Sequence, residues 1–390
     1  MSSDNNAKAR TYGSYLNLTN EQDIALKEFW TLVLDRLNDR PITQNEEATK
    51  NKSSKWRLKG ILGGAAEEPV DLKVSNKSGE ELKSILSKMV RCDHPDVKAV
   101  KYLMDRSWKV KDAYRMFISS IDFFGSEVYS QVAKEGERSV NINQLNSNDS
   151  VYYQYCKDGR LILYIWACRN FPSKYTNDEN MKAIINLLNN HYLLLGDHSN
   201  ITIVYNMNSF SMANSDMGYL RMMTKMVADH YPELLHRVLI HDAPWIFNSV
   251  WSVICNFLDP NIKSKVIFTK KDQLKEYVSE KKLITEVGGL DELKFEYFPP
   301  GDNEAFVTAK DDNYSQLVKQ REDIFKKFED LTYTWVKSNS KEEKLKRDEL
   351  INDLAAINAK LNEYEYSPSI YHRKKVIENY DSINWEALSN

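Results

Sequence analysis

The sequence predicts an α/β protein with a helical N-terminal lobe, a mixed and largely parallel sheet, and extra helices at the C-terminus. Four short apolar runs do not alternate with polar residues, which is typical of strands buried on both faces. Helical segments separate these runs, and strands that alternate with helices favour parallel pairing. The predicted strands are Leu161–Ala167, Ile201–Tyr205, Val238–His241 and Lys265–Thr269, and the separating helices are Asp178–Leu195, Met212–His230 and Phe247–Leu258.

One helix is predicted near the N-terminus, from Thr19 to Asn38. Thr19 or Asn20 can cap this helix, and its apolar residues lie roughly on one side. The next residues, 39–59, are polar and contain Pro41 among lysines, serines and asparagines. Such a composition predicts a mobile linker.

A small helical bundle is predicted after the linker. Ser78 and Glu81 form a capping box, in which each side chain bonds the backbone of the other, ahead of a helical apolar pattern. Two further helices are predicted at Pro95–Arg106 and Val110–Phe124. We expect these helices to form one lobe.

Two helices are predicted in the C-terminal part. Apolar residues step by three or four positions in two stretches, each making one stripe: Ile324, Phe328, Leu331 and Trp335, then Leu350, Leu354, Ile357 and Leu361. Residues Lys337–Lys346 between the stripes are highly charged, which predicts a turn followed by a solvated helical turn. A hairpin packed on the core is favoured over a coiled coil that binds a partner.

These patterns divide the chain into four parts. The first is a helix with the linker, the second is the helical lobe, the third is the α/β unit and the fourth is a helical extension. Their predicted bounds are residues 1–76, 77–135, 136–305 and 306–390.

Composition and charge argue against several classes of protein. The net charge of -3 provides no global basic field, so no nucleic-acid partner is expected. No apolar stretch reaches the ~20 residues of a membrane-spanning helix, and the N-terminal residues lack the apolar region of a signal peptide. The four scattered cysteines form no CxxC pair, which favours free thiols in a reducing compartment. We therefore expect a cytoplasmic protein.

The common catalytic and cofactor-binding motifs are absent from the sequence. It contains no GxGxxG after a strand, no GxxxxGK followed by Ser or Thr, no HExxH and no GxSxG. Histidines that form ordinary hydrogen bonds at element ends are favoured over a metal or haem site. No nucleophile is paired with a base in the pattern. The expectation is a protein that is not an enzyme and holds no metal or cofactor.

The predicted helix Phe247–Leu258 is apolar nearly all round. A helix without a polar face is either buried on all sides or faces something oily on one side. The composition of the helix leaves both interpretations open.

Three motifs in order along the chain carry a resemblance to a known family. The first is Val100–Val110 (VKYLMDRSWKV), followed by a helix, and the second is Asp158-Gly159-Arg160 before an apolar strand. The third comprises Tyr231-Pro232-Glu233, Ala243-Pro244, Phe257-Leu258-Asp259-Pro260 and Lys265. Over Ser78 to Phe298, the chain thus resembles the CRAL-TRIO lipid-binding family, specifically its fungal phosphatidylinositol-transfer branch.

The resemblance implies that the sheet of an α/β lobe forms the floor of a deep lipid pocket. The apolar helix, over Trp245–Leu258, would be its gate. In phosphatidylinositol-binding members an arginine, a glutamate and a lysine serve the headgroup, and the matching residues here are Arg106, Glu233 and Lys265. Arginine and lysine donate charge-assisted hydrogen bonds to a phosphodiester. A threonine of the family's site is replaced by Ile262.

A second family ligand, phosphatidylcholine, is not expected here. Members that exchange it use two serines and two tyrosines around the choline, and the matching positions hold Ile201, Val227, Tyr152 and Leu163. Such walls suit a more apolar lipid, such as a sterol or squalene. The predicted pocket and gate residues are Ile201, Val227, Tyr152, Leu163, Phe247, Val250, Trp251, Ile254, Phe257 and Leu258.

With this resemblance, the sequence predicts a monomeric lipid-transfer protein without covalent catalysis. It would dock transiently on a membrane surface, open the gate, exchange one phosphatidylinositol molecule and close. The alternative is a lipid-sensing adaptor that presents phosphatidylinositol to a lipid kinase or another partner, with the C-terminal hairpin as a contact surface.

Overall fold

A five-stranded sheet lies in the middle part of the chain in the computed structural model, with helices before it, between its strands and after it. The structure describes residues 16–40, 74–91, 93–195, 200–302, 304, 307–338, 340–379 and 382–389. The predicted mobile linker lies outside these residues from position 41 onward. The predicted fold class, a helical lobe followed by a mixed and largely parallel sheet with extra C-terminal helices, is confirmed.

The N-terminal lobe is built from helices that pack their apolar faces into one core. These are α1 (Asn20–Leu37), α2 (Gly79–Met89), α3 (Pro95–Asp105), α4 (Val110–Phe124) and α5 (Glu127–Glu135). The predicted caps are confirmed, because the hydroxyl of Thr19 accepts a hydrogen bond from the Gln22 N–H and that of Ser78 accepts one from the Glu81 N–H. Each cap satisfies a backbone donor that the first helical turn leaves unpaired.

The sheet follows in the order β1-β2-β3-β4-β5, with β1 antiparallel to β2 and the other pairs parallel. Its strands are β1 (Ser150–Tyr155), β2 (Leu161–Trp166), β3 (Ile201–Asn206), β4 (Leu235–His241) and β5 (Val266–Thr269). The helices between them are α6 (Ile142–Asn146) before β1, then α7 (Asn177–Leu195), α8 (Met217–His230), α9 (Phe247–Ile254) and α10 (Pro260–Ser264). The four predicted strands are confirmed, whereas β1 was not predicted.

The predicted gate helix differs from the structure in two ways. α9 ends at Ile254 and not at Leu258, because the Asn256 and Phe257 N–H groups bond three residues back and Asp259-Pro260 then begins α10. The expectation of a helix that is apolar nearly all round is also wrong. Asn248, Ser249 and Ser252 lie on its exposed face. α9 is therefore amphipathic, with its apolar side turned to the protein.

The two faces of the sheet are covered by different segments. On one face Ile162, Tyr164, Val204 and Leu239 share a core with apolar residues of the segment after β5, which are Leu274, Val278, Leu283, Ile284 and Val287. Because successive strand residues point to opposite faces, the alternate residues face the other side, toward α7, α8 and α9.

The predicted C-terminal hairpin consists of α11 (Asp312–Ser338) and α12 (Lys341–Glu365). It packs on the N-terminal lobe, where Phe325, Phe328, Trp335, Ile351 and Leu354 join the same core as Phe29 and Trp30 of α1. The chain then forms α13 (Ile370–Arg373) and the short strands β6 (Ile377–Asn379) and β7 (Ser382–Ile383). No helix in the described ranges combines the length and apolarity needed to cross a bilayer.

A buried charged network fastens this hairpin to the N-terminal lobe. The fully buried Arg347 of α12 donates two hydrogen bonds to the Asp96 carboxylate of α3, over 3.0 and 2.7 Å. Its Nε donates to Thr332 Oγ1 of α11 over 2.8 Å, and Trp30 Nε1 of α1 donates to Asp96 Oδ1 over 2.8 Å. Burial would raise the pKa of the Asp96 carboxyl, but Arg347 and His94 lower it to about 2. Four helices are thus joined through one ion pair.

Candidate functional site

An apolar cavity lies between the sheet and the helices α7, α8 and α9. Its volume is about 600 Å³, within the ~300–1,000 Å³ typical of small-molecule sites. The sheet contributes alternate residues of four strands: Leu163 and Ile165, then Ile201, Ile203 and Tyr205, then Val238 and Ile240, and Val266. Residues of α13, Ile370 and Tyr371, also form part of the wall.

Eight of the ten predicted pocket and gate residues line this cavity; they are Leu163, Ile201, Val227, Phe247, Val250, Trp251, Ile254 and Leu258. The other two lie outside the wall. Tyr152 is fully buried in β1, where its N–H donates to Tyr371 Oη over 2.8 Å. Phe257 follows α9, with the Arg221 guanidinium 5.4 Å from its ring centre.

The cavity is covered by α9 through apolar contacts. Phe247, Val250 and Ile254 are buried, and the ring centre of Trp251 lies 5.2 Å from that of Phe268 on β5. Among the described residues, the side-chain hydrogen bonds of α9 reach no further than its own first turns: Ser249 Oγ donates to Ile246 O and Ser252 Oγ to Ser249 O. Polar side-chain contacts therefore do not tie this helix to the rest of the protein.

The predicted headgroup residues meet at the amino ends of β4 and β5. Glu233 lies two residues before β4 and Lys265 one residue before β5, and Lys265 Nζ is 3.9 Å from Glu233 Oε2. Arg106 follows α3 directly, and its Nε lies 3.6 Å from Asp105 Oδ2. None of the three belongs to the cavity wall, although Leu234 and Val266 beside them do. The structure thus gathers these three residues at the rim of the cavity.

Two further acids belong to this rim cluster and were not predicted. Burial raises the pKa of the Asp105 carboxyl, Arg106 and Lys265 lower it, and the charges of Glu233 and Asp259 raise it. The cluster therefore contains three carboxyl groups and two cations. Both aspartates lie within the motifs quoted above, but the resemblance assigned them no role at the headgroup.

The backbone at Glu233 adopts a left-handed conformation, with φ of 57°. This region is unfavourable for a residue with a Cβ and a long side chain. Strained residues of this kind persist where the surroundings fix them, and they concentrate at binding sites. The conformation directs the chain from Tyr231 into β4 and leaves the Glu233 side chain beside Lys265.

A second polar region lines the cavity at the carboxyl ends of β2 and β3. Asp149 immediately precedes β1, and its carboxylate accepts hydrogen bonds from Ser150 Oγ and Asn170 Nδ2, each over 2.9 Å. Tyr205 near the end of β3 and Tyr219 in the first turn of α8 complete it. The sequence gives no signal for this region, because its members are scattered over separate elements.

Burial sets the protonation of this second region. Burial raises the pKa of the Asp149 carboxyl to about 6, although the bond from Ser150 and the charge of Arg169 lower it. Burial, together with the charge of Asp149, raises the pKa of Tyr205 to about 12 and that of Tyr219 further. Both phenols therefore remain protonated near neutral pH, beside an ionised carboxylate.

Comparison with known proteins links the cavity to a described family. Residues 146–289 match the CRAL/TRIO domain. The phosphatidylinositol transfer protein CSR1 of Eremothecium gossypii is 27% identical over 354 residues, covering 86% of this chain and 79% of that protein. A CRAL-TRIO domain-containing protein of Schizosaccharomyces pombe is 29% identical over 324 residues, covering 80% and 72%. Both similarities extend well beyond residues 146–289.

Among solved structures, the crystal structure of Sfh5 aligns with 66% of this chain and 82% of its own, with a TM-score of 0.44 and 14% sequence identity.

Proposed function

Because residues 146–289 of this chain are a CRAL/TRIO domain, we propose that it transfers phosphatidylinositol between membranes, one molecule at a time. The observation that carries the proposal is an apolar cavity of about 600 Å³ covered by an amphipathic helix. Among the described residues, the side-chain hydrogen bonds of this helix stay within its own turns. Each buried methylene of an acyl chain contributes about 0.8 kcal/mol, so a lipid crosses water only inside such a cavity. The similarity to a relative named as a phosphatidylinositol transfer protein supports the choice of cargo.

The rim cluster is proposed to hold the headgroup. Arg106 and Lys265 would donate charge-assisted hydrogen bonds to the singly charged phosphodiester. Glu233 would accept from inositol hydroxyls, and Asp105 and Asp259 add acceptors for the same ring. Position 262 holds isoleucine, which lines the cavity and offers no hydroxyl to the phosphate. The acyl chains would then extend along the sheet.

The second cargo is proposed to be less polar than phosphatidylcholine, such as a sterol or squalene. Ile201, Val227 and Leu163 line the cavity at positions where choline-binding members have serines and a tyrosine. An aliphatic wall offers neither a hydroxyl to the phosphate nor a ring to the choline. Abundant phosphatidylcholine in lipid extracts of the purified protein would contradict this assignment.

Membrane contact is proposed to occur on the side of α9. Trp245, just before this helix, is 82% exposed, and Val253 and Phe268 are 40% and 45% exposed. Tryptophan favours the interface between water and lipid. Binding there would be reversible and would expose α9 to the bilayer, and the cycle would need no covalent step. We place this activity in the cytoplasm and assign it to a monomer.

The test is transfer of labelled phosphatidylinositol from donor to acceptor vesicles. Arg106→Ala and Lys265→Ala should each lower the transfer rate by roughly ten- to hundredfold, because each removes a charge-assisted bond of about 1.5–3 kcal/mol. Glu233→Gln should lower it less, since the amide still accepts one hydrogen bond. Lys263→Ala is the matched control, because this exposed lysine lies two residues from Lys265 and outside the cluster.

The outcome also separates transfer from the adaptor alternative. Full transfer activity in both charge-removing variants would overturn the headgroup assignment. A wild-type protein that binds phosphatidylinositol tightly but moves it poorly between vesicles would favour an adaptor that presents the lipid to a partner. Mass spectrometry of lipids extracted from the purified protein identifies the cargo independently of either assay.

A further inference from the structure

The cavity has a polar end that the headgroup proposal does not use. Asp149, Asn170, Tyr205 and Tyr219 all line the cavity at the carboxyl edge of the sheet. The rim cluster lies at the opposite, amino edge, before β4 and β5. Ile201 is paired with Leu235 at one edge and Tyr205 with Ile240 at the other. Four residue steps along β3 separate Ile201 from Tyr205, which is roughly 13 Å.

Hydrogen-bonding capacity remains at this polar end. Tyr205 Oη has no hydrogen-bond partner among the residues that the structure describes, although the group is enclosed by the cavity. Gln144 Oε1, on the wall contributed by α6, is buried and also lacks a partner within the described chain. Each oxygen of the Asp149 carboxylate accepts one side-chain hydrogen bond and has a further lone pair. Buried polar atoms are normally paired, so these groups point to a ligand.

The surrounding charges select against an ionic ligand. An anion would meet the carboxylate of Asp149, and a cation would meet Arg169, whose charge acts on Asp149. The terminal nitrogens of Arg169 already donate to Glu286 Oε2 and to Asn148 O, each over 3.1 Å. The other charged wall residues are also engaged: Lys174 lies over the Phe171 ring, Asp216 caps α8, and Glu137 pairs with Arg373.

An uncharged hydroxyl meets these requirements. It can donate to Asp149 and accept from the Tyr205 phenol at the same time. The rest of its molecule would lie against the aliphatic wall formed by β2, β3 and α7. A phospholipid bound by its headgroup at the rim would instead bring acyl chain ends toward this polar end, leaving the polar atoms unpaired.

We propose that the carboxyl-edge polar end is a separate anchoring site, at which a neutral lipid with a hydroxyl group, such as a sterol or a diacylglycerol, binds in place of phosphatidylinositol. The proposal rests on the function proposed above, since it assumes that the cavity holds lipid. It adds the chemical class of the second cargo, and it favours an alcohol over a pure hydrocarbon such as squalene.

The experiment compares each alcohol with its own methyl ether, which keeps the shape and the acceptor but cannot donate. The probes are cholesterol, dioleoylglycerol and their methyl ethers, loaded from vesicles into the full-length protein. The wild type should retain at least one alcohol about tenfold better than its ether, the usual effect of leaving a buried partner unpaired. A preference for cholesterol over its ether would indicate a sterol as the ligand, and a preference for dioleoylglycerol over its ether would indicate an acylglycerol. Asp149→Asn should reduce the ratio to within about threefold, because it weakens the acceptor for the hydroxyl proton. Tyr205→Phe should lower the retention of alcohol and ether alike by about three- to tenfold, because both oxygens accept from the phenol.

The matched control is Tyr152→Phe, which removes a buried phenol outside the cavity wall and should keep both the retention and the ratio of the wild type. Equal retention of alcohol and ether by the wild type would overturn the proposal, and so would unchanged retention of both probes in Tyr205→Phe. Should Asp149→Asn fail to fold, the ratio of the wild type and the retention by Tyr205→Phe, which keeps the ring, decide the question together. Phosphatidylinositol transfer by the same wild-type preparation separates the two hypotheses. Transfer without alcohol preference contradicts only the anchoring site, whereas loss of both contradicts the transfer function as well.

Discussion

Helix α9, which we propose as the gate, and the C-terminal hairpin both cover apolar surface, but they are held in different ways. α9 closes the cavity with Phe247, Val250 and Ile254, and its side-chain hydrogen bonds stay within its own turns. The hairpin adds to its apolar contacts the buried pair of Arg347 on α12 and Asp96 on α3, which also bonds side chains of α11 and α1. A purely apolar contact can be exchanged for a lipid or a bilayer, whereas a buried ion pair cannot open without exposing unpaired charge.

Helix α9 is therefore suited to move, whereas the hairpin is suited to stay in place. Parts of a folded protein can open locally at a free energy below that of global unfolding. We therefore expect α9 to open with the hairpin still in place. The following predictions test this difference, beginning with the largest effect.

Arg347→Met should lower the free energy of unfolding by about 3–5 kcal/mol, because it leaves the Asp96 carboxylate buried without its cation. Chemical denaturation measures this loss. The double variant Arg347→Met/Asp96→Leu should recover part of it. Lys346→Met, which removes an exposed pair with Glu342, is the matched control and should change stability by less than about 0.5 kcal/mol. A loss below about 1 kcal/mol for Arg347→Met would show that the network does not fix the hairpin.

Phe247→Ala should lower the free energy of opening α9 by about 2 kcal/mol, at the lower end for such a truncation because the ring faces a cavity. Amide hydrogen exchange should show faster exchange in α9 and unchanged exchange in α12. Asn248→Ala, on the exposed face of the same helix, should change neither. If the α9 amides exchange only through global unfolding, α9 does not open independently of the rest of the protein.

Glu329→Gln tests the weaker polar contact between the hairpin and α2. Burial raises the pKa of the Glu329 carboxyl to about 7, although Lys83, with Nζ 3.8 Å away, lowers it. Because the folded pKa exceeds the unfolded value, the contribution to stability is present below the unfolded pKa and is lost as pH rises through 7. The variant should therefore gain about 1–2 kcal/mol over the wild type at pH 8 and little at pH 4.5. Thermal melts at both pH values check this, and an equal gain at both would contradict it.

Trp245→Ala should leave stability unchanged and weaken binding to vesicles by about tenfold, because the side chain is 82% exposed beside α9. Sedimentation with phospholipid vesicles measures the effect. Leu290→Ala is the matched control, since this exposed leucine follows the segment that covers the opposite face of the sheet. Equal losses in both variants would show that membrane contact does not depend on the side of the gate.

The features that the sequence predicted best are those determined by residues close together along the chain, such as helix caps and apolar strands. The caps at Thr19 and Ser78 act within one helical turn, and β2 to β5 coincide with short apolar runs along the chain, so both gave clear signals. β1 was missed because its residues, SVYYQY, combine polar and aromatic side chains at an edge of the sheet. The end of α9 was placed too late, since the apolar pattern continues through a turn that Asp259-Pro260 imposes.

For the site, prediction depended on whether residues belong to a motif. Arg106, Glu233 and Lys265 were found through short sequence patterns, and they lie in one cluster. Asp149, Tyr205 and Tyr219 were not found, because they come from separate elements and meet only once the sheet and α8 have packed. These residues are distinguished by their burial and by hydrogen-bonding groups without partners in the described chain. Both properties arise only when the chain has folded.

The segment that follows the hairpin closes the cavity at a late point in the chain. Ile370 and Tyr371 of α13 belong to the wall, and the Tyr371 hydroxyl bonds the backbone N–H of Tyr152 on the edge strand β1. A ribosome makes these residues after the sheet, the gate and both hairpin helices. A nascent chain can therefore form the sheet while one side of the cavity is still open. We expect loading with lipid to follow the synthesis of α13, so that the order of synthesis keeps an incomplete cavity empty.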